Sequence, residues 1–305
     1  VAIVFLKRAS AVLIMIGMGW GERMKRKTAI VTGASAGMGL ETAIGLAKAG
    51  MHVIMLCRNE ARGQQALEKA RSASGSDSLE LMLCDLGSLA SIRSFAAQFV
   101  ARNEPLDVLV NNAGVVSLKR ELTSDGFESM MGVNHLGHFL LTLLLLEPLK
   151  QAEQGRIVVV SSGAYKAGRI HFNDPHLSKG FNAVKGYPQS KLANILFTRA
   201  LAKRLEGTSV TVNCLHPGAV ATSIGVSRST GFGQSVHKLL KPFFLTAEQG
   251  SQTAIYLSVS PEVEGTSGEY FYRQRVQQLG AKATDDEAAE RLWNWSLKET
   301  GLNLD

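Results

Sequence analysis

The sequence predicts an α/β fold: a parallel β-sheet covered by helices on both faces, the doubly wound arrangement, in a single domain. Three observations predict it. Short runs rich in β-branched and other apolar residues recur along the chain, they alternate with longer segments of helical pattern, and the first run leads straight into a glycine-rich stretch, TGASAGMG at 32–39. Strands apolar on both faces are buried on both faces, and right-handed crossovers between parallel strands put the helices there. The 305 residues show no fixed-period repeat and no Pro/Gly/Ser-rich linker, and 45% hydrophobic with 19% charged residues is a globular balance.

The elements follow in order. TAIVTG (28–33) reads as the first strand, with a helix rich in Ala and Leu over 38–49. HVIMLC (52–57) is the second strand, followed by a polar helix over 60–72; LELMLCD (79–85) is the third, followed by a helix over 89–102. LDVLVNNAG (106–114) is the fourth, and a long helix, apolar almost all round, covers 125–150. RIVVVSS (156–162) is the fifth strand, a helix spans 187–206, and SVTVNCLHPG (209–218) is the sixth. A helix over 247–258, a short strand GEYFYR (268–273) and a last helix through EAAERLWNWSL (287–297) complete the pattern.

Charge and cysteine content narrow the function classes. The net charge is +7, but residues 1–27 carry six basic side chains against Glu22 alone, so the rest of the chain is nearly neutral. No basic stripe with interleaved aromatics follows, which argues against nucleic acid as a partner. Cys57, Cys84 and Cys214 end apolar runs and form no Cys-x-x-Cys pair. They read as buried thiols of a reducing compartment, consistent with a cytoplasmic protein.

The leader, residues 1–26, is set apart from the domain at 27–305. Its apolar run, Ala9–Trp20, is too short to cross a bilayer, and no small-residue cleavage site follows. Two readings stay open: an extension outside the fold, or an interfacial anchor that gives weak, peripheral membrane association.

The glycine-rich loop is the first candidate site. Between a strand and a helix, Gly33, Gly37 and Gly39 allow a tight turn and aim a helix N-terminus at a pyrophosphate, with Ser35 and Met38 in the same loop. At the end of the second strand a site for NAD would carry an acidic residue. Here Cys57 takes that position and Arg58 follows, which suits the 2′-phosphate of NADP(H); the alternative is a solvated Arg at a helix entrance.

These pieces, with NNAG (111–114), VNHLGHF (133–139), VVVSS (158–162) and YPQSK (187–191), resemble the short-chain dehydrogenase/reductases over residues 27–272. YPQSKLANILFTRALAKRL, HPGAVAT and RLWNWS are most similar to the retinol dehydrogenase and WW-domain oxidoreductase subgroup. The resemblance implies a Rossmann sheet of seven parallel strands and a tetrad of Asn134, Ser162, Tyr187 and Lys191. It also implies cofactor contacts at Asp85 and Leu86 after the third strand, Asn112 and Gly114 after the fourth, and Pro217, Gly218 and Thr222 after the sixth.

In that family Tyr187 exchanges a proton with the carbonyl or alcohol, while Ser162 donates to the developing alkoxide. Asn134 holds a water that connects Lys191 to solvent, and Lys191 also bonds the nicotinamide ribose. Four positions apart on a helix, Tyr187 and Lys191 share one face. A free phenol, at a pKa of about 10, is roughly three units too basic for work near neutrality, and an adjacent ammonium favours its ionised form. Each residue has a plainer reading: Ser161 and Ser162 end a strand, and Asn134 bonds backbone within its helix.

The 25-residue spacing from Ser162 to Tyr187 is about twice the family's commonest, and the extra segment fits the retinol-dehydrogenase-like subgroup and is expected over the substrate mouth. Val236, Leu239, Leu240, Phe243 and Phe244, in a stretch after the sixth strand, either pack on the domain or line that mouth for a lipophilic carbonyl or alcohol substrate. His135 and His138 have a spacing open to metal but no carboxylate partner, so no metal is expected. The apolar helix over 125–150 asks for burial beyond the sheet, which points to a homo-oligomer, with cover by the C-terminal segment as the alternative. The rival function is a noncatalytic NADP(H)-binding redox sensor.

Overall fold

The computed structural model describes residues 26–219 and 245–303. The leader up to residue 25, Thr222 and the apolar stretch from Val236 to Phe244 lie outside the described residues. The strands are β1 (Thr28–Thr32), β2 (His52–Cys57), β3 (Leu79–Leu83), β4 (Val108–Asn111), β5 (Arg156–Val160), β6 (Thr211–His216), β7 (Tyr270–Tyr272) and β8 (Arg275–Val276). The helices are α1 (Gly37–Lys48), α2 (Glu60–Ser74), α3 (Leu89–Val100), α4 (Ser129–Met131, a π segment Gly132–Leu136, then Gly137–Leu144), α5 (Leu146–Gln151), α6 (Ala183–Arg204), α7 (Ala247–Val259) and α8 (Asp286–Thr300).

The sheet order is β3-β2-β1-β4-β5-β6-β7-β8, and the first seven strands are parallel. The eighth, absent from the sequence reading, runs antiparallel to β7 through a two-residue turn at Arg273 and Gln274. Both turn residues have positive φ, 50° and 62°. That turn is usually built from Asn or Gly, and without either the hairpin leaves no sequence signal.

Side chains alternate along the strands into two cores. Ile30, Ile54, Leu109 and Ile157 pack with α3, α4, α6 and α8. Val31, Val53, Val110 and Val158 pack with α1, α2 and α7 on the other face. All of these strand residues are at most 1% exposed, which explains why the strands read as continuous apolar runs.

The expected single helix over 125–150 is instead a composite. Residues before Ser129 are not helical; the carboxylate of Glu128 accepts from Met130 N and Met131 N and so starts the helix there. A π segment interrupts it at Asn134, and Leu145 at φ −102° and ψ 8° separates α4 from α5. Helix α6 begins before its expected start at Tyr187, because Asn182 caps it by accepting from Val184 N and Lys185 N, leaving Pro188 inside the helix.

Helix α8 supplies the cover that α4 needs. Trp293 meets Phe139 edge-on at 5.0 Å and stacks on Phe197 at 6.1 Å, while the Arg204 guanidinium lies 4.0 Å over the Trp293 ring. His135 Nε2 lies 2.8 Å from Ser296 Oγ, and Glu290 and Asp286 of α8 pair with Arg204, Arg199 and Lys203 of α6. Cover by the C-terminal segment, the alternative to a homo-oligomer, is thus present on this helix.

Candidate active site

The strand order reverses between β1 and β4, and a cavity of about 490 Å³ opens there at the carboxyl ends of the strands. This is the position where doubly wound sheets bind ligands. Its floor is the β1–α1 loop: Gly33, Ser35, Gly37, Met38 and Gly39 all line it. Gly33 and Gly37 have φ of +66° and +58°, and a Cβ on Gly39 would run into the Gly33 carbonyl and the Asn112 side chain.

Helix α1 starts without a side-chain cap, at Ala36, and has no acidic residue in its first turn. Its N-terminal N–H groups and positive dipole end are therefore left for an anion, and the cradle fits a dinucleotide pyrophosphate. Arg58 and Asn59, after β2, line one wall together with Arg62 from the first turn of α2. Asp85 and Leu86, after β3, line another, and the Asp85 carboxylate accepts from Gly87 N. Asn112 and Gly114 complete the lining beside Val115 and Val133.

None of the four tetrad residues lines this cavity, but Asn134 and Lys191 come up to it at Gly114. A Cβ on Gly114 would sit 3.5 Å from Asn134 Oδ1 and 3.6 Å from Lys191 Nζ. Lys191 is buried at 3% exposure, donates to Val160 O at 3.1 Å, and places its Nζ 5.6 Å from the Tyr187 ring centroid. The Ser162 side chain lies close enough to the Tyr187 hydroxyl to favour its ionised form, so serine, phenol and ammonium are neighbours.

Electrostatics in the protein alone differ from the sequence expectation. Burial raises the Tyr187 phenol above its usual range, opposed by the Ser162 hydrogen bond, and burial lowers Lys191 to about 8. For the phenol, desolvation sets the direction in the protein alone.

Pro217 and Gly218 follow β6, outside the lining of this cavity. Gly218 has φ +92° and donates to His216 Nδ1 at 3.1 Å. His216 was not foreseen as part of the site. It stacks on Tyr272 at 4.7 Å, and its ring lies 3.2 Å from where a Cβ on Gly163, next to Ser162, would stand.

The sequence reading also missed Gln189 and Ser190, two of the three residues between Tyr187 and Lys191. Gln189 accepts from His171 N and donates to Pro175 O, both at 2.8 Å, which fastens the segment between β5 and α6 to the helix that carries Tyr187 and Lys191. Ser190 accepts from Asn134 Nδ2 at 3.0 Å. Their positions between Tyr187 and Lys191 were the available signal. Asn134 does bond backbone, but not within its helix as the plainer reading had it: its side chain accepts from Val115 N and donates to Val115 O in the loop after β4.

His135 and His138 are both buried neutral, lowered to about 3 and about 4 chiefly by desolvation. Among the described residues no three His, Cys, Asp or Glu side chains are grouped to hold a metal. The three cysteines are buried and unpaired, and burial raises their thiols to about 11 at Cys57 and about 12 at Cys84 and Cys214. No described helix is long and apolar enough to cross a membrane.

Fold and site together define an oxidoreductase class, and the profile of the short chain dehydrogenase family matches residues 27–231. The chain belongs to that family. It is similar to retinol dehydrogenase 14 of Homo sapiens, 45% identical with 92% of this chain and 88% of the relative covered. It is also similar to retinol dehydrogenase 12 of Mus musculus, 41% identical with 90% and 87% covered. Among solved structures, an uncharacterized protein from Mycobacterium Paratuberculosis superposes with TM-score 0.73 at 32% identity, covering 92% of this chain and 95% of that one. An actinorhodin polyketide ketoreductase solved with NADPH superposes with TM-score 0.63 at 27% identity, covering 81% and 95%.

Proposed function

We propose that this chain interconverts a carbonyl and an alcohol on a lipophilic substrate with NADP(H), Tyr187 acting as general acid and base. The observation that carries the reading is the closeness of Ser162, Tyr187 and Lys191 beside a cavity floored by an uncapped helix N-terminus. When bound, the dinucleotide supplies or accepts the hydride.

The protein's part is proton handling and orientation. A phenol raised by burial stays protonated at neutral pH, so Tyr187 is suited to donate its proton to a carbonyl oxygen. Ser162 would donate a second hydrogen bond to that oxygen and hold it as it becomes an alkoxide. Lys191, cationic below about 8, stabilises the phenolate left after donation. Asn134 sets the surroundings of that ammonium from the other side of Gly114.

Preference for NADP(H) is assigned to Arg58 and to the absence of a carboxylate at Cys57. The retinol dehydrogenases it resembles support a long, apolar substrate. The test is a panel of lipophilic aldehydes and ketones, including retinal and decanal, with NADPH and NADH in parallel. Turnover favouring NADPH and lost in Tyr187→Phe is expected. Tight NADPH binding without turnover across the panel would instead select the redox-sensor reading.

A further inference from the structure

His138 lies outside the cavity lining, yet its two ring nitrogens join the two halves of the candidate site. The side chain is buried at 1% exposure. Nδ1 is 3.1 Å from the carbonyl oxygen of Asn134, and Nε2 is 2.9 Å from Thr32 Oγ1. A carbonyl oxygen has no proton to give, so Nδ1 carries the hydrogen and, in the neutral ring, Nε2 accepts. Burial favours that neutral form, holding the imidazole at about 4.

The hydroxyl of Thr32 fits the same assignment. It accepts from Asn112 N at 2.8 Å and from Ala113 N at 2.9 Å, which leaves its single proton to donate. His138 Nε2 is nearer than the other acceptor within reach, Val110 O at 3.2 Å. On the far side, Asn134 Oδ1 accepts from Val115 N at 2.7 Å and Nδ2 donates to Val115 O at 3.0 Å. The backbone from Asn112 to Val115 is thus gripped at one end by Thr32 and at the other by Asn134. His138 closes the ring between those two residues.

We propose that His138 is a positioning residue of the reaction: as the Nδ1–H form it holds the Asn134 carbonyl, and with it the Asn134 end of the gripped Asn112–Val115 segment, against Lys191. The role rests on the oxidoreductase reading above. Gly114 is the middle of the gripped segment, and Asn134 Oδ1 and Lys191 Nζ both lie within 3.6 Å of where its Cβ would be. Slack at the Asn134 end therefore moves that segment relative to the ammonium that serves Tyr187.

Two substitutions separate the two bonds of the ring. An Asn at this position puts its amide nitrogen near Nδ1 and keeps the donor to Asn134, whereas a Gln reaches toward the Nε2 position and loses it. With NADPH and decanal, His138→Asn is expected to keep kcat within about threefold of the parent, while His138→Gln and His138→Phe lose about tenfold or more. NADPH Kd and Tm are expected to stay close to the parent in all three. Equal kcat throughout, a larger loss in the Asn than in the Gln variant, or losses that track Tm or NADPH affinity would overturn the proposal.

Nitrogen NMR of the ring in the unsubstituted full chain gives a readout that needs no turnover. A ring protonated on Nδ1 and bare on Nε2 is expected at neutral pH; an Nε2–H form or an imidazolium overturns the proposal. A parent chain that shows the Nδ1–H ring but reduces no carbonyl overturns the oxidoreductase reading and the positioning role with it, leaving the ring as architecture alone.

Discussion

At the scale of single residues, function concentrates where burial and proton chemistry meet. Removing the phenolic hydroxyl in Tyr187→Phe is expected to cut turnover by about 10² to 10⁴-fold while NADPH binding persists, as read by fluorescence titration beside steady-state rates. Lys191 gives the pH dependence. Its pKa is lowered to about 8, so it is cationic below that value and loses its charge as pH rises through it. Carbonyl reduction is therefore expected to decline above about pH 8, and a rate profile flat to pH 10 would count against Lys191 as the charge that holds the phenolate. Arg58→Ala is expected to weaken NADPH about tenfold and leave NADH nearly unchanged, because only the former has the 2′-phosphate a guanidinium would meet. Isothermal titration with both dinucleotides measures the difference.

At the scale of elements, α8 stands out as a brace for the catalytic helix α6. Trp293 packs between Phe139, Phe197 and the Arg204 guanidinium and is 3% exposed. Trp293→Ala is expected to cost about 3 to 5 kcal/mol of stability through the cavity it leaves, seen as a lower urea midpoint with an unchanged slope. What was legible in the sequence divides along the same lines. Strands β1, β2, β4, β5 and β6 were plain because both faces are buried, the edge strand β3 was plain from its apolar run although it is only partly buried, and the glycine loop and YPQSK were plain because their chemistry is local in sequence. The bond from Thr32 to His138 spans 106 residues and leaves no pattern in either neighbourhood. The π segment at Asn134 was equally silent, since VNHLGHF has the apolar spacing of an uninterrupted helix. The role of α8 was half legible: the apolar surround of the 125–150 helix demanded a cover, but periodicity cannot say which part of the chain, or which copy, supplies it.

At the scale of the whole molecule, two buried imidazoles link stability to pH. His135 and His138 sit at about 3 and about 4 in the folded protein, below the ordinary histidine value of about 6.5. Their contribution is fully present above about pH 6.5 and is lost as pH falls toward their folded values, because the unfolded chain takes up protons that the native state refuses. Each can contribute at most about 1.4 kcal/mol per pH unit in that window. Glu128, raised by burial, binds its proton more readily when folded and works in the opposite sense, so the net loss is smaller than the two-proton limit. Urea midpoints at pH 7 and pH 5 are expected to differ, with the lower value at pH 5; equal midpoints would mean that the rings are charged in the native state.

The anchoring of the β5–α6 segment by Gln189 has a last consequence, for how such a scaffold can be repurposed. The loop expected to choose among substrates is fastened to the same helical turn that carries Tyr187 and Lys191. On the proposed reading, selectivity and proton transfer form one module, and transplanting that loop from a relative without its Gln189 attachment is expected to disturb Tyr187 and Lys191 as well.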